Sequence, residues 1–313
     1  MLHRRSTPTP ARAPALRSAL KVAAYPAVTG GAIAFALFAI ARAWPAWLVG
    51  VVVVTAASVA VEVLERVIPY RAAWARPRGD FRTDVLHWAL SNRAFDLGAF
   101  VAITSMAPVG RALAARLGTD LWPRAWPLFA QALLALVLVE LPWYWIHRLE
   151  HRWAPLWRVH AVHHSSRRIY WWNLSRNHPL DNLISALAST APVALLGASD
   201  APLALMAAFT GAHAILQHSN IDLRTGPLDV FLATARVHRF HHSPRREEAD
   251  ANYGPTLTVF DWLFGSRRFS KDAEPPEDVG LGGPDDDRFP GGFVAQLRAP
   301  FDARLFSDGE GER

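Results

Sequence analysis

The sequence predicts an all-α, polytopic membrane protein of four to six membrane helices, with a cytoplasmic helical cap carrying a histidine-rich site for two metal ions. Three observations predict it. Apolar blocks alternate with polar ones, so a chain that is 51% hydrophobic has a mean hydropathy only slightly above zero. Arginines crowd beside those blocks at Met1–Arg17, Arg71–Arg82 and Arg236–Arg246. Histidines gather in three short clusters between His147 and His242.

Four stretches approach the roughly 20 residues that cross a bilayer: Leu20–Ala43, Ala46–Ile68, Phe95–Leu117 and Leu128–Ile146. The third contains a Pro108–Gly110 break and Arg111 and Arg116 at one end, which leaves open an interfacial position. A fifth apolar region, Leu183–Leu216, is interrupted by Pro192, Gly197 and Asp200–Pro202 and reads as two helices or a re-entrant pair. The N-terminal arginines precede an apolar run with no clean cleavage site, which favours a retained first helix over a signal peptide. Positive charge in the N-terminal segment, in Tyr70–Arg82 and in Arg148–Arg176 places all three on the cytoplasmic side of what reads as a bacterial inner membrane. Two helical hairpins, residues 20–68 and 95–146, supply the even number of crossings this requires. The expected divisions are a basic N-terminus (1–18), N-terminal membrane helices (19–120), a catalytic domain (121–268) and a polar, solvated C-terminal tail (269–313).

The chain has no cysteine, which excludes disulfides, thiolate zinc sites, iron–sulfur clusters and cysteine nucleophiles. Any metal must take nitrogen or oxygen ligands. The formal charge of +6 lies beside apolar blocks and within no recognition module for nucleic acid, so it fits anionic lipid headgroups.

Eight of the thirteen histidines fall in three clusters. HRLEH places His147 and His151 four residues apart, on one helix face and within reach of one ion. HAVHH (His160, His163, His164) and HRFHH (His238, His241, His242) repeat an HxxHH pattern whose adjacent pair can divide between two ions. Eight or more nitrogens exceed the needs of one ion, which implies two. Imidazole suits zinc, copper, iron and nickel alike. A site of neutral ligands open to exogenous oxygen suits dioxygen chemistry at iron.

HxxxH, HxxHH and HxxHH in this order resemble the fatty acid hydroxylase/sterol desaturase superfamily. The resemblance extends through HHSS, RNHPLDN, QHSN, NYG and FDWLFG, covers Trp143–Arg267, and is similar to the bacterial sterol desaturase-like branch. Phe260 stands where that family often has tryptophan. The resemblance implies a di-iron enzyme (two Fe ions per chain) that uses dioxygen and two reducing equivalents to hydroxylate or desaturate a lipid C–H bond. With no fused redox domain visible, electrons must come from a separate ferredoxin or reductase. On that pattern the eight clustered histidines are ligands, joined by His218 of QHSN and by His178 of NHPLD, the latter equally a hydrogen-bond donor or helix-end residue. His213 and His87 read as structural. Glu150, Asp181, Asn173, Asn177, Asp222, Asn252 and Asp261 are the available partners for the outer imidazole nitrogens. Gly254 reads as a turn residue at positive φ. Trp143, Trp145, Trp153, Trp157, Trp171 and Trp172 read as an interfacial belt, some lining a substrate channel.

The competing readings are a histidine-ligated zinc lipid hydrolase and a metal transporter or sensor. No HExxH motif supports the first. The second calls for ionisable groups inside the spans, whereas the clusters lie at or beyond helix ends.

Overall fold

The computed structural model describes residues 12–270 and 273–306. The expected basic segment 1–18 thus lies mostly outside the described residues, as does the end of the tail beyond residue 306. Among the described residues the protein is all-α, with no named strand. Its helices are α1 (Arg12–Ile40), α2 (Ala46–Val67), α3 (Phe81–Leu86), α4 (Asn92–Leu117), α5 (Leu128–Arg152), α6 (Ala154–His164), α7 (Pro179–Leu196), α8 (Asp200–Gln217), α9 (Leu228–Phe231), α10 (Ala235–His241), α11 (Arg246–Ala249), α12 (Val259–Leu263), α13 (Gly283–Arg288) and α14 (Phe293–Arg298).

Among the described residues five helical stretches are long and apolar enough to cross a membrane: Pro14–Ile40, Ala46–Val67, Phe81–Leu117, Leu128–Arg152 and Pro179–Leu196. They bear large exposed apolar side chains such as Trp47, Val59, Phe100, Ile103, Phe129 and Leu133. In water such a surface would be unfavourable, and in a bilayer it is solvated. The protein is an integral membrane protein. The fifth apolar region resolves into two helices, α7 and α8, separated where Gly197 takes φ 68°.

The helix α4 does not break at Pro108. It runs on to Gly118, whose φ of 67° ends it. Small residues on one face, Gly98, Ala102 and Gly110, are buried, and α4 lies along α7. A Cβ at Gly110 would come within 1.8 Å of Leu195 O, and one at Gly98 within 2.7 Å of Leu183 O. Backbone approach of this kind drives helix association where the solvent is itself apolar. With α3 and the turn between them, α4 forms a helical stretch, Phe81–Leu117, long and apolar enough to cross a membrane. Gly110→Ala should therefore push the helices apart and destabilise the protein by about 1–3 kcal/mol, read as a lowered unfolding midpoint in detergent.

The arginine-rich connections converge at one end of the bundle. Arg224 N donates to Lys21 O near the start of α1, and Asp222 N donates to Ile68 O at the end of α2. Arg168 grips Asp80 through Nε (2.6 Å) and Nη2 (2.8 Å), and Arg176 pairs with Asp84 at 2.5 Å. A bidentate, buried pair such as the first fixes geometry as well as charge. The connection after α2, the residues around Arg168 and Arg176, and the described start of α1 thus lie at one end of the bundle.

The segment after residue 273 is packed, contrary to the solvated tail expected from its composition. Gln296, Ala299, Pro300 and Phe306 are buried. Gln296 Oε1 meets His87 Nε2 at 2.9 Å, and Phe306 packs with Trp157 and Ala161 on α6. Short apolar patches scattered among Asp, Gly and Pro carry no periodic signal, yet they suffice to cap an existing surface.

Candidate metal centre

All three histidine clusters, and His218, meet at the end of the bundle where the basic connections gather. His147 and His151 occupy the last turns of α5. Pro155 restarts the chain in the first turn of α6, which presents His160, His163 and His164. His218 caps the end of α8, while α10 supplies His238 and His241 with His242 as its C-cap.

The nine imidazoles divide into two groups, each with ligand atoms within 4.8 Å of one another: His147, His151, His160, His164 and His241 in one, and His163, His218, His238 and His242 in the other. The two HxxHH motifs are used in opposite senses. The first sends His160 and His164 to the five-histidine group and His163 to the four-histidine group; the second sends His241 to the former and His238 and His242 to the latter. Adjacent histidines do part toward different centres, and the His164 and His242 rings stack across the boundary with centroids 4.4 Å apart.

The nitrogens facing inward are those a metal would take. Nε2 of His147, His160, His164 and His241 is buried without a hydrogen-bond partner, a state that is rare unless something fills it. In the second group Nε2 of His238 lies 2.7 Å from Nε2 of His218 and 3.0 Å from Nε2 of His242. Convergent lone pairs at this range are stable around a shared cation. Burial holds His163, His164, His238 and His242 well below the ordinary imidazole range, and neighbouring imidazoles lower them further. Burial likewise pushes His218 and His241 down to about 3. All six are neutral at physiological pH, as ligation requires.

The outward nitrogens are anchored. Nδ1 of His147 lies 2.7 Å from Tyr253 O, that of His241 2.8 Å from Ala251 O, and that of His163 3.3 Å from Arg176 O. Nδ1 of His151 meets Asp250 Oδ1 at 3.1 Å, and that of His218 meets Asn173 Oδ1 at 3.2 Å. Nδ1 of His160 faces Asp181 Oδ2 at 2.9 Å and Glu150 Oε2 at 3.4 Å. Of the expected partners, Asp181, Glu150 and Asn173 touch imidazoles directly. Asp222 instead pairs with Lys21, Asn177 gives its carbonyl to His87, and Asn252 ties Arg268. Sequence reasoning missed Asp250 and the three carbonyls, because a carbonyl leaves no residue-type signal.

Asp261 acts one step removed. Its carboxylate accepts from Tyr253 N (2.8 Å), Gly254 N (2.9 Å) and Ser266 Oγ (2.7 Å), pinning the turn whose Tyr253 carbonyl orients His147. The positive φ in this turn belongs to Asn252 (55°), not Gly254. Gly254 is needed for space, since a Cβ there would lie 2.1 Å from Leu257 O. Asp261→Ala should lower metal affinity by roughly 10–100-fold, measurable by titrating the chelator concentration that strips the protein.

Among the described residues three histidines stand apart. His178 is not brought to either group, which corrects its expected place among the ligands. It caps α7, with Nδ1 accepting from Leu180 N at 3.1 Å and Nε2 bonded to Leu297 O at 3.2 Å. His213 Nδ1 and Tyr25 Oη share a hydrogen bond of 2.6 Å, and His87 bridges Ser91 and Gln296.

A cavity of about 420 Å³ reaches His147, His160, His163, His218 and His238, touching both groups. Arg93, Phe95, Asp96 and Trp143 line it also, from α4 and α5, so it lies against two membrane helices. Trp145 and Trp153 are exposed, as residues of an interfacial belt would be, whereas Trp157, expected in the same belt, is buried against Ala161 and Phe306.

The profile of the fatty acid hydroxylase family matches residues 132–266, which contain all nine converging histidines. Ornithine lipid hydroxylase OlsE of Rhizobium tropici is 35% identical over 246 residues, covering 77% of this chain and 72% of that protein. Alkylglycerol monooxygenase of Danio rerio is 31% identical over 147 residues, 46% of this chain and 31% of that protein. Very-long-chain aldehyde decarbonylase GL1-8 of Oryza sativa subsp. japonica is 27% identical over 139 residues, 44% of this chain and 52% of that protein. No solved structure matches. With the histidine arrangement, this similarity over most of both chains means that the protein belongs to the fatty acid hydroxylase family.

Proposed function

We propose that this protein is a membrane-bound di-iron oxygenase that hydroxylates a lipid, with desaturation the other outcome open to the same site. The observation that carries this reading is the convergence of nine imidazoles into two groups, with Nε2 of His147, His160, His164 and His241 buried and without a hydrogen-bond partner. The relatives named above, a lipid hydroxylase and a monooxygenase, support it.

His147, His151, His160, His164 and His241 would hold one iron, and His163, His218, His238 and His242 the other. When bound, the irons supply the activation of dioxygen, with two electrons from a separate ferredoxin or reductase. The chain's own part is positioning. Asp181, Glu150, Asp250 and Asn173 hold imidazole tautomers so that Nε2 points inward. Burial of the histidines keeps bulk water from the centre. The cavity beside α4 and α5 admits lipid from the bilayer. By the arginine distribution the centre faces the cytoplasm, where such electron donors reside.

The test is metal analysis of detergent-purified protein expressed with iron, combined with lipid mass spectrometry of cells grown under ¹⁸O₂. About two irons per chain and a lipid gaining one ¹⁸O atom are expected. Stoichiometric zinc after iron-replete, anaerobic preparation would overturn the reading in favour of a hydrolase.

A further inference from the structure

Outside the five long apolar stretches, the short helices α9 and α12 carry an apolar surface of their own. The two are tied together: Leu232 and Leu257 form an antiparallel bridge, and Val230 O accepts from Thr258 Oγ1 at 2.5 Å and from Trp262 Nε1 at 3.3 Å. The pair leaves its large side chains in the open. Phe231 is 68% exposed, Trp262 59% and Leu263 69%, with Val230 and Val259 also exposed. Polar groups are kept to the inner side. Asp229 of α9 turns onto Thr234 Oγ1 at 2.6 Å, and Asp261 of α12 onto the Tyr253 turn, so both carboxylates of these helices are buried. A soluble surface rarely gathers side chains of this size without a partner.

Two contacts fix where this shelf lies. Just before α9, Arg224 N donates to Lys21 O of α1 at 2.8 Å, and Asp222 pairs with the Lys21 ammonium. Just after α12, Phe264 packs on Trp145 of α5 with ring centroids 4.8 Å apart, and Arg148 Nη1 donates to Phe264 O at 3.0 Å. Trp145 and Leu149 are exposed on a helix that crosses the bilayer, so the shelf continues the lipid-facing surface of α5. Farther along, α1 and α5 flank an apolar groove over α8, lined by Ile33, Leu133 and Phe209. The shelf thus reaches from one membrane helix to the other at the end where the histidines gather. Arginines border it: Arg224 and Arg268 are exposed, and Arg267 lies over the Trp262 ring at 5.9 Å. Exposed Trp, Phe and Leu with arginine at the margin suit an element lying in the plane of a membrane interface, its guanidinium groups on lipid phosphates.

We propose that α9 and α12 form a shelf sunk into the bilayer leaflet at the histidine end of the bundle, with Phe231, Trp262 and Leu263 among the acyl chains and Arg224 and Arg268 on the phosphates of anionic lipids. The shelf sets the depth of the histidine groups against the membrane surface, because Asp261 on its inner side pins the turn whose carbonyl orients His147.

The chain has no cysteine, so one introduced thiol carries one label. The full chain with a nitroxide at Phe231→Cys or Leu263→Cys is reconstituted into vesicles of phosphatidylcholine and phosphatidylglycerol and compared with Glu247→Cys on α11. All three positions are exposed, so no label displaces a packed neighbour. Collision is measured with oxygen, which concentrates in the bilayer, and with a nickel chelate, which stays in water. The oxygen-to-nickel ratio should be at least about fivefold higher at the two shelf sites than at the α11 site. A ratio equal to that at the α11 site puts the shelf in water and overturns the proposal. Protection from both reagents puts protein on the shelf, a second copy or another partner, and overturns it equally. Removing phosphatidylglycerol, or combining Arg224→Gln with Arg268→Gln, should lower the shelf ratio about twofold or more; no change in either case would overturn the assignment of anionic lipid.

Discussion

Alanine at His163 or at His241 is expected to abolish lipid oxygenation, lowering product by about three orders of magnitude or more, because a metal centre contributes several kcal/mol to the transition state. The two variants separate the two centres. His163 belongs to the four-histidine group and His241 to the five-histidine group. Each variant should fall from about two irons per chain to about one or fewer, as measured by mass-spectrometric metal analysis. Replacing His178 is the contrast. With both its nitrogens bonded to the backbone at the start of α7 and near α14, His178→Ala should cost about 0.5–2 kcal/mol of stability as a lost cap and leave iron content unchanged. Loss of iron in His178→Ala together with retention in His241→Ala would contradict the geometry.

Acid should strip and unfold the protein over a defined range. Six of the converging histidines are held below the ordinary imidazole value by burial, His218 and His241 to about 3. The unfolded chain, with histidines near 6.5, binds protons that the native site refuses. Their contribution to stability is therefore complete above about pH 6.5 and is lost as pH falls from there toward 3. Protons also compete directly with metal for the same nitrogens. Unfolding midpoints of the metal-stripped protein should decline steeply below pH 6, and retained iron should fall over the same interval. A flat midpoint between pH 7 and pH 4 would show that the imidazoles are not buried as described.

Much of this was legible in the sequence because histidine is informative in a way that most core residues are not. Spacings of three and four survive any uncertainty in helix boundaries, so His147/His151 and both HxxHH motifs announced shared helix faces. The division of adjacent histidines between two centres followed from the 100° turn between neighbours. What the motifs could not carry was the allocation, since His163 and His241, the middle members of their triplets, go to opposite centres only because α6 and α10 face one another. His178 misled because NHPLD fits a ligand and a helix cap equally well, and the choice depends on where Leu297 arrives from more than a hundred residues away. Pro108 misled for a related reason. Its local effect is to break a helix in water, but among packed neighbours the freed backbone groups are re-satisfied, and Gly110 beside it marks where α7 presses close. The C-terminal segment was unreadable because nothing in it folds alone.

The order in which the ligands leave the ribosome has a consequence for maturation. The first pair, His147 and His151, ends the fourth apolar stretch, and the last ligand, His242, follows α8, so neither group can close until the bundle is laid down. An ion met early in synthesis finds two imidazoles, too few to hold it against cellular chelators. On the proposed reading, loading would be a late event, after the bundle has assembled. The residues from 293 to 306, which pack beside α6 and bond His87 and His178, arrive later still. A chain stalled or cut before them would carry all nine converging histidines and yet lack the residues that cover Trp157 and Ala161 of α6 and bond His87 and His178.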